Sequence, residues 1–203
     1  MTEAKEHYLR VHQFLESSRA NGPGLRAVVW VQGCTLGCSG CFNVPTHATT
    51  GGELVRVADL VERIIALAEK IEGVTISGGE PLQQREGVAA LLHQLKARTN
   101  LSVILFTGFS WSELERMGGV TSADGAASHR MSLGMLEDVD VLIAGRYDAT
   151  HHLARDLRGS TNKTTYFLTG RYAEDDLQRV PLAEVVITPE GEILMSGIDP
   201  LKW

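Results

Sequence analysis

The sequence predicts an α/β protein, a mostly parallel sheet laid out as a partial, open (β/α) barrel. Three observations carry this. Short β-branched runs alternate with amphipathic helical stretches, the pattern of parallel βα units. Four consecutive strands each end in a glycine-bearing polar segment: Cys34 to Cys41, Ser77 to Glu80, Thr107 to Phe109 and Gly145 to Tyr147. Chemistry in such sheets collects at the C-terminal strand ends, so the four segments mark one site. A closed eight-unit barrel takes roughly 250 residues; this chain has 203, hence the open form.

Taken in order, residues 1–20 form a lead-in whose Tyr8, Leu9, Val11, Phe14 and Leu15 pack as a short strand or helix. Asn21-Gly22-Pro23-Gly24 is a turn cluster. Val28 to Val31 is a buried strand that feeds the cysteine segment. Leu54, Val57, Val61, Ile64, Ile65 and Ala68 recur at helical spacing, which predicts a helix from Glu53 to Lys70 with a stop at Gly73. Val74 to Ile76 is the second strand, and a helix over Gln84 to Arg98 buries Val88, Leu91, Leu92 and Leu95. Val103 to Phe106 is the third strand. Ser110-x-x-Glu113 is a capping box that opens a short helix ending at Gly118-Gly119, before a mobile loop over 119–130. Val139 to Ile143 is the fourth strand, followed by a polar stretch to Lys163, a strand at Thr165 to Leu168 and a polar segment to Arg179. Val185 to Ile187 and Ile193 to Met195 close the chain as a hairpin around Pro189-Glu190-Gly191.

The length reads as one domain over 1–203. A hydrophobic share of 43% and a charged share of 22% are those of an ordinary globular protein. A formal net charge of −6 argues against a non-specific nucleic-acid binder, which carries a basic surface. No apolar run reaches membrane-spanning length, and the charged N-terminus does not read as a secretory signal. Clustered thiols without such a signal fit a reducing, cytoplasmic setting. No HExxH, P-loop or GxSxG pattern marks a hydrolase or kinase. Adjacent His151 and His152 rarely face one site and read as solvent-exposed.

All three cysteines, Cys34, Cys38 and Cys41, lie on one loop with spacing C-x3-C-x2-C. Disulfide pairing leaves one thiol over. A closed zinc site needs a fourth ligand, which His47 is near enough to supply. An iron–sulfur cluster held by three cysteines leaves one iron open to an outside ligand, an arrangement for catalysis. Gly33, Gly37 and Gly40 let the loop approach a cofactor closely and free backbone N–H groups for its sulfides.

This loop, followed by aromatic Phe42, resembles the signature of the radical SAM superfamily, and Ser77-Gly78-Gly79-Glu80-Pro81 resembles that family's GGE segment. The resemblance implies a [4Fe-4S] cluster on Cys34, Cys38 and Cys41, with S-adenosylmethionine bound to the open iron through its amino and carboxylate groups. It implies that Phe42 lies beside the adenine and that the edge Ser77, Gly78, Gly79 and Glu80 accepts hydrogen bonds from the ammonium. Thr107, Gly108 and Phe109 look like the segment that packs on this cofactor in glycyl-radical activases, with Arg146 in the matching place after the fourth strand. Arg158-Gly159-Ser160-Thr161-Asn162 resembles an RGSSN-type segment of the activases of anaerobic (class III) ribonucleotide reductase. Asn21 to Gly24 with Arg26, Asp140 to Ile143 and the stretch from Glu184 to Gly197 are similar too, so the resemblance covers residues 21–198. It departs in the longer lead-in, in the loop over 119–130 and at Ala144, where an acidic residue is common.

The implied chemistry is reduction of the cluster by a flavodoxin- or ferredoxin-like donor, cleavage of S-adenosylmethionine to methionine and a 5′-deoxyadenosyl radical, and hydrogen abstraction from a glycine of a partner enzyme. Arg146, Arg158 and Ser160 are candidates for gripping the cofactor carboxylate. Two alternatives stand beside this: a small radical SAM enzyme acting on a peptide or purine-like molecule, and a zinc-binding interaction module.

Overall fold

The computed structural model describes residues 6–117, 134–187 and 191–198. The segment expected as a lead-in is an eleven-residue strand, β1 (Tyr8–Ser18). The chain turns through Asn21 to Gly24 and returns antiparallel as β2 (Arg26–Val31), the only pairing so short a connection allows. β3 (Glu53–Arg56) adds antiparallel to the other edge of β1, and α1 (Val57–Ile65) follows at once. The helix expected over Glu53 to Lys70 is therefore shorter at both ends. Leu54 shares helical spacing with Val57 and Val61, but its backbone pairs with Arg10, and strand pairing overrides local periodicity. After Ile65 the chain tightens into turns, with the Leu67 N–H donating to Ile64 and Ala68 to Ile65.

β4 (Gly73–Gly78), α2 (Arg85–Arg98), β5 (Ser102–Thr107), α3 (Trp111–Met117) and β6 (Val141–Ala144) follow the expected βα alternation. The Ser110–Glu113 capping box is formed: the Ser110 N–H donates to Glu113 Oε2 at 2.8 Å and the Glu113 N–H to Ser110 Oγ at 3.4 Å. The helix stop at Gly118-Gly119 and the loop over 119–130 lie outside the described residues. The polar stretch after β6 folds into a small antiparallel pair, β7 (His152–Arg155) and β8 (Arg158–Ser160), before β9 (Thr164–Phe167). A short helix, α4 (Glu174–Gln178), interrupts the next polar segment. β10 (Ala183–Ile187) and β11 (Ile193–Gly197) form the expected hairpin, with Pro189 and Glu190 of its turn outside the described residues.

Among the described residues the main sheet has seven strands in the order β3-β1-β2-β4-β5-β6-β9. β2, β4, β5 and β6 are parallel, joined by crossovers that carry α1, α2 and α3. The edges β1, β3 and β9 are antiparallel, so the expected parallel sheet forms the centre of a mixed one. No α-helix separates β6 from β9, only one 3-10 turn (Ala149–His151) and the β7–β8 pair, and β9 returns in the opposite direction.

Alternate residues of the central strands serve two cores. Val29, Val31, Val74, Ile76, Val103 and Leu105 face the helices, where Leu60, Ile64, Leu91, Leu92 and Leu95 are buried against them. Each such side chain contributes roughly 1.5–3 kcal/mol of burial. On the other face Ile104, Val141 and Ile143 pack with Leu157, Tyr172, Leu177 and Ile198. That second face, toward the C-terminal strand ends, holds the cavity.

Candidate functional site

The cysteine loop leaves the end of β2 and is held at both ends by backbone bonds. Gly33 N–H donates to the Thr46 carbonyl at 2.7 Å and Cys34 N–H to the His47 carbonyl at 3.0 Å. Gly37 and Gly40 take φ of 64° and 72°, left-handed values that let the loop curl back on itself. Glutamines outside the motif brace it. Gln32 Nε2 donates to the Ala48 and Pro45 carbonyls at 2.6 and 3.1 Å, and His12 Nδ1 lies 2.7 Å from Gln32 Oε1. Gln83 receives the Thr35 N–H at 3.1 Å and donates to Thr35 Oγ1 at 2.7 Å. Gln84 donates to the Gln32 carbonyl at 2.8 Å. These braces carry no motif signature, and sequence reading passed over them.

The glycine–glutamate segment at the end of β4 abuts the loop. Gly79 N–H donates to the Val31 carbonyl at 2.8 Å and Glu80 N–H to the Gly33 carbonyl at 2.9 Å. The Glu80 carboxylate is buried and fully engaged. It accepts from Leu82 N–H at 2.9 Å, Thr107 Oγ1 at 2.8 Å and Gly108 N–H at 2.7 Å. Burial pushes its pKa up, while the Gly108, Leu82 and Thr107 donors and the Lys163 charge pull the other way. Glu80 thus joins the ends of β4 and β5 and fixes the wall between them.

The three cysteines, Phe42, the segment Ser77 to Glu80, Thr107 and Gly108 all line one cavity of about 300 Å³. That volume is at the lower end for small-molecule sites. Arg146, Arg158 and Ser160 do not line it. Arg146 Nη1 donates to both oxygens of Glu113 at 2.9 and 2.8 Å, Arg158 lies 3.7 Å from Asp156, and Ser160 is buried with its Oγ accepting from Asp148 N–H at 3.3 Å. The Arg158 to Asn162 segment still reaches the site through its glycine. A Cβ at Gly159 would meet the Tyr147 ring at 3.3 Å, and Tyr147 stands edge-on to Phe42 at 5.6 Å between centroids. The cavity also takes in His47, weighed above as a zinc ligand, Met195 and Ser196 of the C-terminal stretch, and Trp30, Asn43 and Lys163, to which no motif pointed. His151 and His152 are exposed, as expected, and neither lines the cavity.

All three cysteines are free thiols, partly exposed to the cavity. Burial pushes Cys34 up, opposed by the Leu36 N–H and reinforced by Glu80 and the other two thiols; burial likewise pushes Cys41 up. Metal binding would therefore release protons from this loop. Among the described residues no three His, Cys, Asp or Glu side chains converge to hold a single ion. Three free thiols on one loop that line one cavity are a soft donor set of the kind an iron–sulfur cluster takes.

A mixed α/β sheet that presents three unpaired cysteines on one strand-end loop beside a ligand-sized cavity defines a protein built to hold a thiol-bound metal centre with room for a second ligand. The chain matches the family model described as the 4Fe-4S single cluster domain over residues 20–166. It is 33% identical over 147 residues to the anaerobic ribonucleoside-triphosphate reductase-activating protein of Enterobacteria phage T4, with 70% of this chain and 84% of that protein aligned. It is 31% identical over 112 residues to the pyruvate formate-lyase-activating enzyme of Clostridium pasteurianum, covering 53% of this chain and 47% of that enzyme. The chain thus spans less than half the length of the clostridial enzyme. Among solved structures, QueE from Escherichia coli is similar at 17% identity and a TM-score of 0.42, over 50% of this chain and 53% of that one. The chain belongs to the 4Fe-4S single cluster domain family as one of its radical SAM activases, oxidoreductases whose cofactors are a [4Fe-4S] cluster and S-adenosylmethionine. Among the described residues no helix is long and apolar enough to cross a membrane.

Proposed function

We propose that this chain activates a glycyl-radical enzyme and that its target is an anaerobic ribonucleoside-triphosphate reductase. The observation that carries the reading is the convergence of Cys34, Cys38 and Cys41 with the Ser77 to Glu80 edge on one cavity. The relative from phage T4, matched over most of its length, supports the choice of target.

On this reading Cys34, Cys38 and Cys41 hold the cluster, and the Ser77 to Glu80 edge with Thr107 and Gly108 forms the wall for S-adenosylmethionine. When bound, the two cofactors supply reductive cleavage to methionine and a 5′-deoxyadenosyl radical, which takes a hydrogen atom from a glycine of the target. The protein's part is positional. Glu80 locks adjacent strand ends, Gln32, Gln83 and Gln84 hold the cysteine loop in register, and the Phe42–Tyr147 edge contact gives an adenine ring an aromatic surface. Met195, Ser196 and Ile198 of the C-terminal segment add to the lining of the cavity. The sheet serves as a partial, open barrel and the chain as one domain, working in the cytoplasm with a flavodoxin- or ferredoxin-like electron donor.

The test is anaerobic reconstitution with iron and sulfide, reduction with dithionite, and addition of S-adenosylmethionine and the reductase. The expected result is 5′-deoxyadenosine in the solution and a glycyl-radical EPR doublet on the reductase. Deoxyadenosine without a radical on the reductase would reject the target; a colourless protein holding one zinc would reject the chemistry.

A further inference from the structure

S-adenosylmethionine brings a carboxylate into the cavity, and a carboxylate removed from water needs a counter-charge or several donors. Among the described residues the cavity is lined by one lysine, Lys163, and by no arginine. Arg146 is committed to Glu113 outside it, and Arg158 lies by Asp156. Glu80, the one carboxylate in the lining among the described residues, has its oxygens engaged by Leu82, Thr107 and Gly108.

Lys163 is set in place by the return of the chain. Its N–H donates to the Ser160 carbonyl at 3.2 Å, and β9 then starts antiparallel to β6, with Thr164 opposite Ala144. Gly145, just past the end of β6, lies against it: a Cβ there would stand 3.4 Å from Lys163 Cα. The ammonium donates to the Gly145 carbonyl. An ammonium has three N–H donors; among the described residues the Gly145 carbonyl is its one hydrogen-bond partner. Burial pulls its pKa down, while the neighbouring Cys38, Glu80 and Cys41 hold it up. A partly desolvated cation with spare donors, beside the cysteine loop, is a receptor for an anion.

We propose that Lys163 is the cation that receives the carboxylate of S-adenosylmethionine. The assignment rests on the reading that this cavity binds S-adenosylmethionine beside the cluster. Lys163→Met keeps the apolar stem and removes the charge, while Lys163→Arg keeps the charge. Each reconstituted protein is first checked for iron content and melting temperature. It is then titrated with S-adenosylmethionine, and separately with decarboxylated S-adenosylmethionine, which lacks the anion. Binding is read by equilibrium dialysis and by the change in the EPR signal of the reduced cluster.

A charged hydrogen bond is worth about 1.5–3 kcal/mol, so K163M weakens S-adenosylmethionine binding by about tenfold or more. Its affinity for the decarboxylated ligand stays within about twofold of wild type on the same reasoning, and K163R keeps most of the preference for the carboxylate. Unchanged S-adenosylmethionine affinity in K163M overturns the assignment, and so does an equal loss of both ligands. If K163M does not fold, K163Q takes its place in the same comparison. A wild-type protein that holds four irons but binds neither ligand overturns the functional reading itself, before any variant is made.

Discussion

His47 Nε2 lies 3.3 Å from Cys41 Sγ, with the Cys34 N–H bonded to the His47 carbonyl on the same residue. One histidine thus anchors the first cysteine through its backbone and touches the third through its ring. With iron on Cys41, an N–H directed at the sulfur favours the reduced, more negative cluster. His47→Ala removes about 1 kcal/mol of that preference and lowers the potential by about 40 mV for one electron. A redox titration followed by EPR measures the shift. An unchanged potential means the contact is packing alone, and complete loss of metal would return the site to a zinc ion completed by histidine.

Gly79 sets how closely the two halves of the site approach. A Cβ there would stand 2.4 Å from the Gly33 carbonyl oxygen and 2.8 Å from its carbon, backbone atoms that cannot swing away. Gly79→Ala must push the cysteine loop off the end of β4, at a cost on the order of 1–3 kcal/mol, and iron uptake on reconstitution falls. Gly37→Ala is the control. That position has φ of 64° but nothing within 4 Å, so the substitution strains the backbone locally and leaves iron uptake near wild type. Equal iron content in both variants would contradict the argument.

The parts of the site legible in the sequence are those that lie at strand ends. Once Val28 to Val31, Val74 to Ile76 and Val103 to Phe106 are read as parallel neighbours, Cys34, Gly79 and Thr107 must meet, because register places strand ends side by side. Position after a strand does not fix where a long side chain goes. Arg146 follows β6 as expected but turns to Glu113, whose capping role also leaves both oxygens within its reach. Lys163 was hidden for the converse reason. It ends a polar stretch of no marked pattern, and only the antiparallel return of β9 beside β6 sets it against Gly145. β3 was hidden because Leu54 to Arg56 pair with β1 across some 45 residues of chain, a contact that local spacing does not carry.

The Glu113–Arg146 pair makes stability depend on pH. Arg146, and then the Ser110 N–H, hold the Glu113 carboxyl down from its ordinary value of 4.5 to about 2. A depressed folded pKa contributes stability that is full above about 4.5 and is lost as pH falls through about 2. The pair is partly exposed, so solvent limits it to about 1 kcal/mol or less. Glu113→Gln is therefore less stable than wild type by up to that amount at pH 6, and the gap narrows by pH 3. Urea unfolding at the two pH values measures it; a gap that widens toward acid would refute the assignment.

Arg26 holds the opposite end of the parallel strands, and its loss should unfold more than it touches. Its side chain is fully buried. Nε donates to Thr75 Oγ1 at 2.9 Å, Nη1 to Ser102 Oγ at 2.9 Å and Nη2 to the carbonyls of Val74 and Ser102 at 2.9 and 3.1 Å. Burial pulls the guanidinium pKa down, and Tyr172 and Glu72 oppose this, with the Tyr172 hydroxyl itself donating to Glu72 at 2.6 Å. Arg26→Met fills similar space but strands these acceptors in a dry core, where each unmade bond costs about 1–3 kcal/mol. Because β2, β4 and β5 all lose a partner at once, the variant is expected to lose roughly 3–5 kcal/mol, as when a buried charge network is broken. Thr75 Oγ1 also donates to the Asn21 carbonyl at 2.7 Å, and Asn21 lines the cavity, so the damage reaches the site floor. Urea denaturation gives the stability, and S-adenosylmethionine affinity of the reconstituted variant gives the reach. A loss below about 1 kcal/mol would mean that water replaces the guanidinium without cost, and the network would then be filling space rather than binding the strands together.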